Sequence, residues 1–256
     1  MGHLTNQDIE IITKALQRYP TLTELHLTEN EIDDQGIRSL ASVLAQNQTL
    51  TKLSLYENQI SDEGVRYLSD ALDLNKVLTT LDLCRNQIGN RGIQYLADML
   101  SRNKTLEILH LSENPIGDQG AQYLADALQQ NRRLSVIYLS QNQIGDQGVH
   151  HLADALMHNT TLITLSLYHN NIGDLGAQSL AKALVQNRVI KEIFSTLLFH
   201  LYIYIVFIKT LTTLYLAHNQ IGNDGVQQLL DIFQQNRVHV LQHFFLSYIF
   251  LLFDRH

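Results

Sequence analysis

The sequence predicts an α/β solenoid, in which a parallel sheet forms the concave face of an arc and helices form the convex face. First, the chain repeats every 28 residues, with units starting at positions 21, 49, 77, 105, 133 and 161 and, after an interruption of 21 residues, at 210. Second, each unit joins a strand-like L-x-x-L-x-L segment to a helical apolar stripe. Third, strands stack ~4.8 Å apart whereas packed helices need ~8–10 Å, so stacked units must curve with the sheet inside.

The residues that do not vary between units define the elements, and we number the positions of each unit 1 to 28. Leu occupies positions 2, 7 and 20, Ile position 12 and Gly position 16 in all seven units. Position 14 is always Asp or Asn, which predicts a cap on the N-terminus of the unit's helix. The Asn that always occupies position 27 is typical of a left-handed helix terminus. Because one unit cannot bury its apolar face alone, the units must stack into one core.

The repeat also divides the chain into four parts. They are a solenoid over 1–188 (a half-unit at 1–20, then six full units), an apolar insert at 189–209, a seventh unit at 210–237 and an apolar tail at 238–256.

The insert and the tail do not match the repeat. Both begin with Val directly after the same Gln-Asn-Arg ending, and removal of the insert restores the register. Every Val codon begins with GT, the usual start of an intron, so we interpret both segments as retained introns and the chain as a fragment. Membrane insertion of 193–208 and 238–253 is one alternative, although the first run has 16 residues and a spanning helix needs ~20. An edge-pairing or dimerising hairpin is another.

The motif L-x-x-L-x-L-x-x-N-x-I followed by a glycine-bearing helix resembles the leucine-rich repeat. The 28-residue form is similar to the ribonuclease-inhibitor-like class and to the C-terminal repeats of NOD-like receptors. The resemblance covers 21–188 and 210–237, whereas the nucleotide-binding motif of a full NOD-like receptor is missing from the sequence. The resemblance implies that the Asn at position 10 forms a ladder to backbone groups, carried by Asn30, Asn58, Asn86, Asn114, Asn142, Asn170 and Asn219.

The side chains at positions 4, 6, 8 and 9 are expected on the concave face, and they vary between units while the framework does not. The first half is rich in carboxylates and the second half in Tyr and His, residue types that suit protein recognition on a rigid sheet. The predicted partner-binding residues are Glu24, His26, Glu29, Tyr56, Glu57, Asp82, Arg85, His110, Glu113, Tyr138, Tyr168, His169, Tyr215 and His218.

Composition argues against several other functions. The net charge of −7 argues against a nucleic-acid partner. Cys84 is the one cysteine, which excludes an internal disulfide framework and a zinc site built from several cysteines. His150, Asp154 and His158 lie on one helix face, but that face is the outer surface. We therefore expect no metal, no cofactor and, because no nucleophile motif is present, no enzymatic activity. The first residues do not resemble a signal peptide, so we expect a cytoplasmic location.

Three functional hypotheses follow. The first is a protein-binding solenoid, similar to the sensor arm of a NOD-like receptor, whose protein or peptide partner carries a basic patch. The second is a GTPase-activating protein similar to the Ran GTPase activator, which should carry an acidic tail and a functional Arg at the edge of the array; here the tail is apolar. The third is a scaffold of the actin-regulator type.

Overall fold

The computed structural model describes residues 3–19, 21–186 and 213–235. Within these ranges, helices and three-residue strands alternate along the chain. The elements are α1 Asn6–Arg18, β1 Glu24–His26, α2 Asp34–Leu44, β2 Lys52–Ser54, α3 Asp62–Leu74, β3 Thr80–Asp82, α4 Asn90–Arg102, β4 Ile108–His110, α5 Asp118–Gln130, β5 Val136–Tyr138, α6 Asp146–His158, β6 Thr164–Ser166, α7 Asp174–Gln186, β7 Thr213–Tyr215 and α8 Asn223–Gln235.

The strands form one sheet in sequence order, and every neighbouring pair is parallel. Each strand residue pairs with the residue at the same repeat position of the next unit, as Leu25 does with Leu53. Consecutive helices also pack against each other, from α1 through to α8. The predicted fold class, an α/β solenoid with a parallel sheet and a layer of helices, is therefore confirmed.

The core lies between the sheet and the helices, where the unvarying apolar positions meet. In the fifth unit, Leu139 from the sheet side and Leu152 from α6 are both 0% exposed. Ile144, in the turn between them, is equally inaccessible to solvent. The same positions are buried in the neighbouring units, so one continuous core runs along the array.

The helix N-termini are built differently from the prediction. The N-cap residue is at position 13, for example Gly145 of α6, and position 14 is already helical. The position-14 side chain instead reaches the next unit: Asp118 Oδ1 accepts hydrogen bonds from the backbone N–H of Gly145 at 2.6 Å and of Gly148 at 3.0 Å. The prediction that position 14 caps its own helix is wrong, because this carboxylate or amide caps the following helix and ties two units together.

The Asn side chains at position 10 also join neighbouring units. Asn58 Nδ2 donates to the carbonyl of Leu27 in the preceding unit at 2.8 Å, and its Oδ1 accepts from the N–H of Ile32 at 3.1 Å. Bonds of this kind, between the side chain and the backbone of its own or the preceding unit, occur at Asn30, Asn58, Asn86, Asn114, Asn142, Asn170 and Asn219.

Position 27 forms a second ladder, which the sequence did not predict. Asn131 is 2% exposed and has φ −66°, so it is neither solvated nor left-handed. Its Nδ2 donates to Leu100 O at 2.7 Å, and its Oδ1 accepts from the N–H groups of Arg133 and Leu134. The expectation of a left-handed terminus is therefore wrong. This side chain binds the C-terminal end of helix α4 in the preceding unit and the backbone N–H groups that lead into strand β5.

The insert and the tail lie outside the described residues, but the elements on either side of the insert do not. Strand β6 pairs directly with β7, with Leu165 opposite Leu214. Asn219 Oδ1 accepts from the N–H of Ile172 at 3.0 Å, as position 10 does elsewhere. The insert therefore leaves the stacking of units six and seven intact. Among the described residues, no helix combines the length and apolar character needed to cross a membrane.

Candidate functional site: the concave face

The concave face consists of the side chains at positions 4, 6, 8 and 9, on and just after each strand. None of the fourteen residues predicted for this face is buried; each is exposed or half-buried. Because parallel strands pair residues of the same repeat position, side chains of one position form a row across the sheet, as Asp82 and His110 do.

Position 9 has a backbone conformation that side-chain-bearing residues rarely adopt. All residues with positive φ in the described chain occupy this position, and none is glycine: Glu29, Glu57, Arg85, Glu113, Gln141, His169 and His218, with φ between 52° and 58°. In the first six of these residues, from Glu29 to His169, the backbone N–H still donates to a carbonyl of the next unit, as Glu57 N does to Cys84 O at 2.9 Å. This conformation disfavours branched and bulky residues, and residues held in it cluster at functional sites. The seven polar side chains at position 9 are therefore consistent with a role for this row in binding.

Arg85 is the centre of an ion-pair network on the N-terminal half of the face. Its Nη1 lies 2.8 Å from Glu57 Oε2, and its Nε lies 2.6 Å from Glu113 Oε2. The same Nη1 donates to the hydroxyl of Tyr56 at 3.0 Å. The hydrogen bonds that Arg85 donates to Glu113 and Glu57 raise the pKa of its guanidinium, so its charge is fixed. The sequence predicted only that Arg85 lies on the concave face. Its ion pairs with Glu57 and Glu113 could not be predicted, because they depend on how side chains from three neighbouring units pack together.

A second ion pair lies at the first strands. Lys52 Nζ is 2.6 Å from Glu24 Oε1, and His26 Nε2 lies 3.5 Å from Glu24 Oε2. The hydrogen bond from Lys52, together with its charge, lowers the pKa of Glu24. Of the five carboxylates predicted for this half, Glu24, Glu57 and Glu113 thus have basic partners within the chain.

The centre of the face is partly buried and polar. Asp82 Oδ2 accepts from Ser54 Oγ at 3.1 Å, and its Oδ1 accepts from the N–H of Cys84 at 3.0 Å. Burial, followed by the Asp82 charge, raises the pKa of the Cys84 thiol to about 12. Burial lowers the pKa of His110 against the opposing effect of Asp82. Cys84 therefore stays a thiol near neutral pH, and burial favours the neutral form of His110.

A set of rings that we call the aromatic cluster extends from the centre of the face through its C-terminal half: His110, Tyr138, Tyr168, His169, Tyr215 and His218. His110 stacks on Tyr138 with ring centroids 4.6 Å apart. Tyr168 meets His218 edge to face at 4.9 Å, and His169 stacks on His218 at 5.8 Å. Strand β7 completes this cluster, although the insert separates Tyr168 and His169 from Tyr215 and His218 along the chain.

Comparison with known families agrees with the repeat. A model of the leucine-rich repeat matches the units at residues 20–41, 46–69, 74–97, 102–125, 130–153, 158–181 and 208–230, more than half of the chain. Comparison with curated protein sequences gives no match.

Solved structures with a similar fold include an actin-binding protein. Actin-binding site 2 of leiomodin-1 has 22% identity and a TM-score of 0.49, with 70% of this chain and 87% of that chain covered. The C-terminal domain of tropomodulin from Caenorhabditis elegans has 14% identity and a TM-score of 0.46, with 70% and 93% covered. Pollen receptor kinase 3 has 16% identity and a TM-score of 0.40, with 79% and 76% covered. On the strength of the family model, which matches all seven units, the chain belongs to the leucine-rich repeat family.

Proposed function

We propose that the chain is a non-catalytic protein-binding module that holds a protein or peptide partner on its concave face. The observation that carries the proposal is the aromatic cluster, a group of Tyr and His rings left accessible on a rigid sheet. Aromatic residues concentrate binding energy in protein interfaces because they bury a large area with little loss of side-chain freedom.

The chemistry of the partner follows from the two halves of the face. Rings of the aromatic cluster suit an apolar or aromatic anchor on the partner. The N-terminal half has five carboxylates against Lys52 and Arg85, an excess that favours a partner with a basic patch. This attraction is the weaker contribution, because three of the carboxylates already have partners in the chain.

The proposal includes a finer assignment and a location. The 28-residue period and the sequence of the units support a sensor arm of the NOD-like receptor type, in the ribonuclease-inhibitor-like class. The proposed location is the cytoplasm, a reducing compartment that suits the free thiol of Cys84.

The GTPase-activating alternative needs an arginine free to reach a bound nucleotide. Arg85, which follows strand β3 on the concave face, is held by Glu57 and Glu113 and lies away from the edge of the array. Because Arg85 is already ion-paired within the chain, a structural and binding role is favoured over a catalytic one. Hydrolysis of GTP by candidate GTPases at an unchanged rate in the presence of the chain would agree with this choice, and co-sedimentation with actin filaments tests the actin-regulator hypothesis.

Affinity purification with two matched double variants tests the proposed surface. His169→Ala/His218→Ala removes two rings of the aromatic cluster, whereas His150→Ala/His158→Ala removes two exposed rings from helix α6 on the convex side. We expect cross-linked partners to be lost with the first variant and retained with the second. Equal retention by both variants, with circular dichroism showing that both are folded, would place the interface elsewhere.

A further inference from the structure

Strands β3 and β4 bring three metal-ligating side chains together on the concave face. Asp82 and Cys84 are two residues apart, so they point to the same side of the sheet, and His110 is the register partner of Asp82 on the next strand. The ligating atoms of all three lie within 4.8 Å of one another. Neither the repeat nor the spacing of cysteines reveals this set, because its third member comes from the neighbouring unit.

We propose that Asp82, Cys84 and His110 form a binding site for a divalent transition-metal ion, and that Zn²⁺ is the ion that fits best. The donor set is one carboxylate oxygen, one sulfur and one imidazole nitrogen, which together select zinc over the oxygen-preferring Mg²⁺ and Ca²⁺. Three protein ligands leave a fourth tetrahedral position for water or for a group of a partner. This site shares Asp82 and His110 with the predicted partner-binding face, but a titration with the metal alone tests it without any partner.

The surroundings of the three ligands resemble the supporting contacts of a metal site. Ser54 Oγ and the backbone N–H of Cys84 each donate to one oxygen of Asp82, which fixes the carboxylate. The ring of Tyr138 stacks on His110 and restricts the imidazole. Such contacts orient the residues that coordinate the metal and strengthen metal binding.

The ligating atoms of Asp82, Cys84 and His110 need to move only slightly closer together to hold a metal ion. Bonds of ~2.0–2.3 Å from zinc to its ligands place ligating atoms about 3.3–3.8 Å apart in a tetrahedron, compared with the limit of 4.8 Å here. Side-chain rotations can close this difference, since the backbone positions are already adjacent. As the metal–sulfur bond forms, the Cys84 thiol releases its proton to solvent, so metal affinity should rise with pH.

The rest of the array provides the matched substitutions. Position 8, which Cys84 occupies, is Ser in the next two units, Ser112 and Ser140. Cys84→Ser thus places at this position a residue that the same backbone already accommodates. His150, which lies 3.6 Å from Asp154 on the surface of α6, is the control for adventitious binding by exposed histidines.

Titration of the full, untagged and reduced chain with Co²⁺ tests the site, because a cobalt–thiolate bond gives a charge-transfer band in the near ultraviolet. We expect a band that saturates at one cobalt per chain and disappears when Zn²⁺ is added. Cys84→Ser should abolish the band, and His110→Gln and Asp82→Asn should each weaken binding by more than about 10-fold, since loss of an outer-shell partner alone costs about 10–100-fold. His150→Gln should bind as the unmodified chain does.

Two results would overturn the proposal. One is the absence of the charge-transfer band in the folded, unmodified chain. The other is a band of unchanged affinity in His110→Gln and Asp82→Asn, which would show that the thiol binds cobalt alone. These two variants keep the test decisive even where circular dichroism shows that Cys84→Ser does not fold.

Discussion

The framework of the array consists of the repeat positions that do not vary between units. The framework and the concave face use the same kinds of residue in opposite ways. In the framework, polar side chains such as Asn131 are buried and bind backbone groups of neighbouring units. On the concave face, polar side chains such as Arg85 remain accessible and bind other side chains. A buried polar group that loses its partner is costly, whereas an exposed ion pair contributes little. The framework must therefore repeat, while the face is free to vary from unit to unit.

The largest difference between the two regions should appear in the core. Leu139 is 0% exposed, whereas Val136, on the concave side of the same unit, is half-buried. Leu139→Ala should lower the free energy of unfolding by ~2–5 kcal/mol, because it removes buried methyl groups and leaves a cavity. Val136→Ala should cost distinctly less. Urea denaturation measures both values, and equal costs would contradict the separation of framework from face.

The two Asn ladders give the next prediction. Asn131 is 2% exposed, and three of its four side-chain bonds measure 2.7–2.8 Å and the fourth 3.4 Å, whereas Asn142 is 7% exposed and all four of its bonds measure 3.2–3.4 Å. Either Asn→Ala change should cost about 1–3 kcal/mol by leaving backbone groups unpaired, with the greater loss at Asn131. Thermal unfolding of the two variants side by side checks the order. A smaller loss of stability in Asn131→Ala than in Asn142→Ala would contradict this order, and would mean that burial and short hydrogen bonds at Asn131 contribute less to stability than expected.

These cases show what the sequence could predict. Period, strand and helix order, core positions and the accessible face follow from residues that recur every 28 positions. The partners of Asn131 and Asp118 did not follow, because capping by position 14 or 27 within one unit looks the same in sequence as capping of a neighbour. The Asp82–His110 pairing was also missed, since it joins chemically unlike residues of two units.

The close approach of neighbouring helices gives a third prediction. A Cβ on Gly148 would lie 2.7 Å from Asp118 Oδ1 and 2.9 Å from Asp118 Cα, whereas one on Gly145 would lie 3.4 Å from the nearest atoms. Gly148→Ala should therefore destabilise the array by about 1–3 kcal/mol through overpacking, although Ala favours helix more than Gly does. Gly145→Ala should be nearly neutral. Chemical denaturation distinguishes the two, and a stabilised Gly148→Ala would show that the units can separate without cost.

The smallest expected effect is on the face, at the pair of Glu24 and Lys52. The hydrogen bond and charge of Lys52 hold the pKa of Glu24 below its ordinary value of 4.5. A carboxylate with a lowered pKa in the folded state stabilises that state above its unfolded pKa, and this contribution is lost as the pH falls through the folded value.

Lys52→Met keeps the length of the side chain but removes its charge, so the pKa of Glu24 should rise towards 4.5. Nuclear magnetic resonance titration of the Glu24 carboxyl carbon measures the shift, with Lys104→Met as the distant, exposed control. High salt should reduce the difference, since the pair is exposed. The melting temperature at neutral pH should barely change, because an exposed ion pair contributes little to folding. A large loss of stability would mean that Glu24 and Lys52 belong to the framework, and that the face is less free to vary than its exposure indicates.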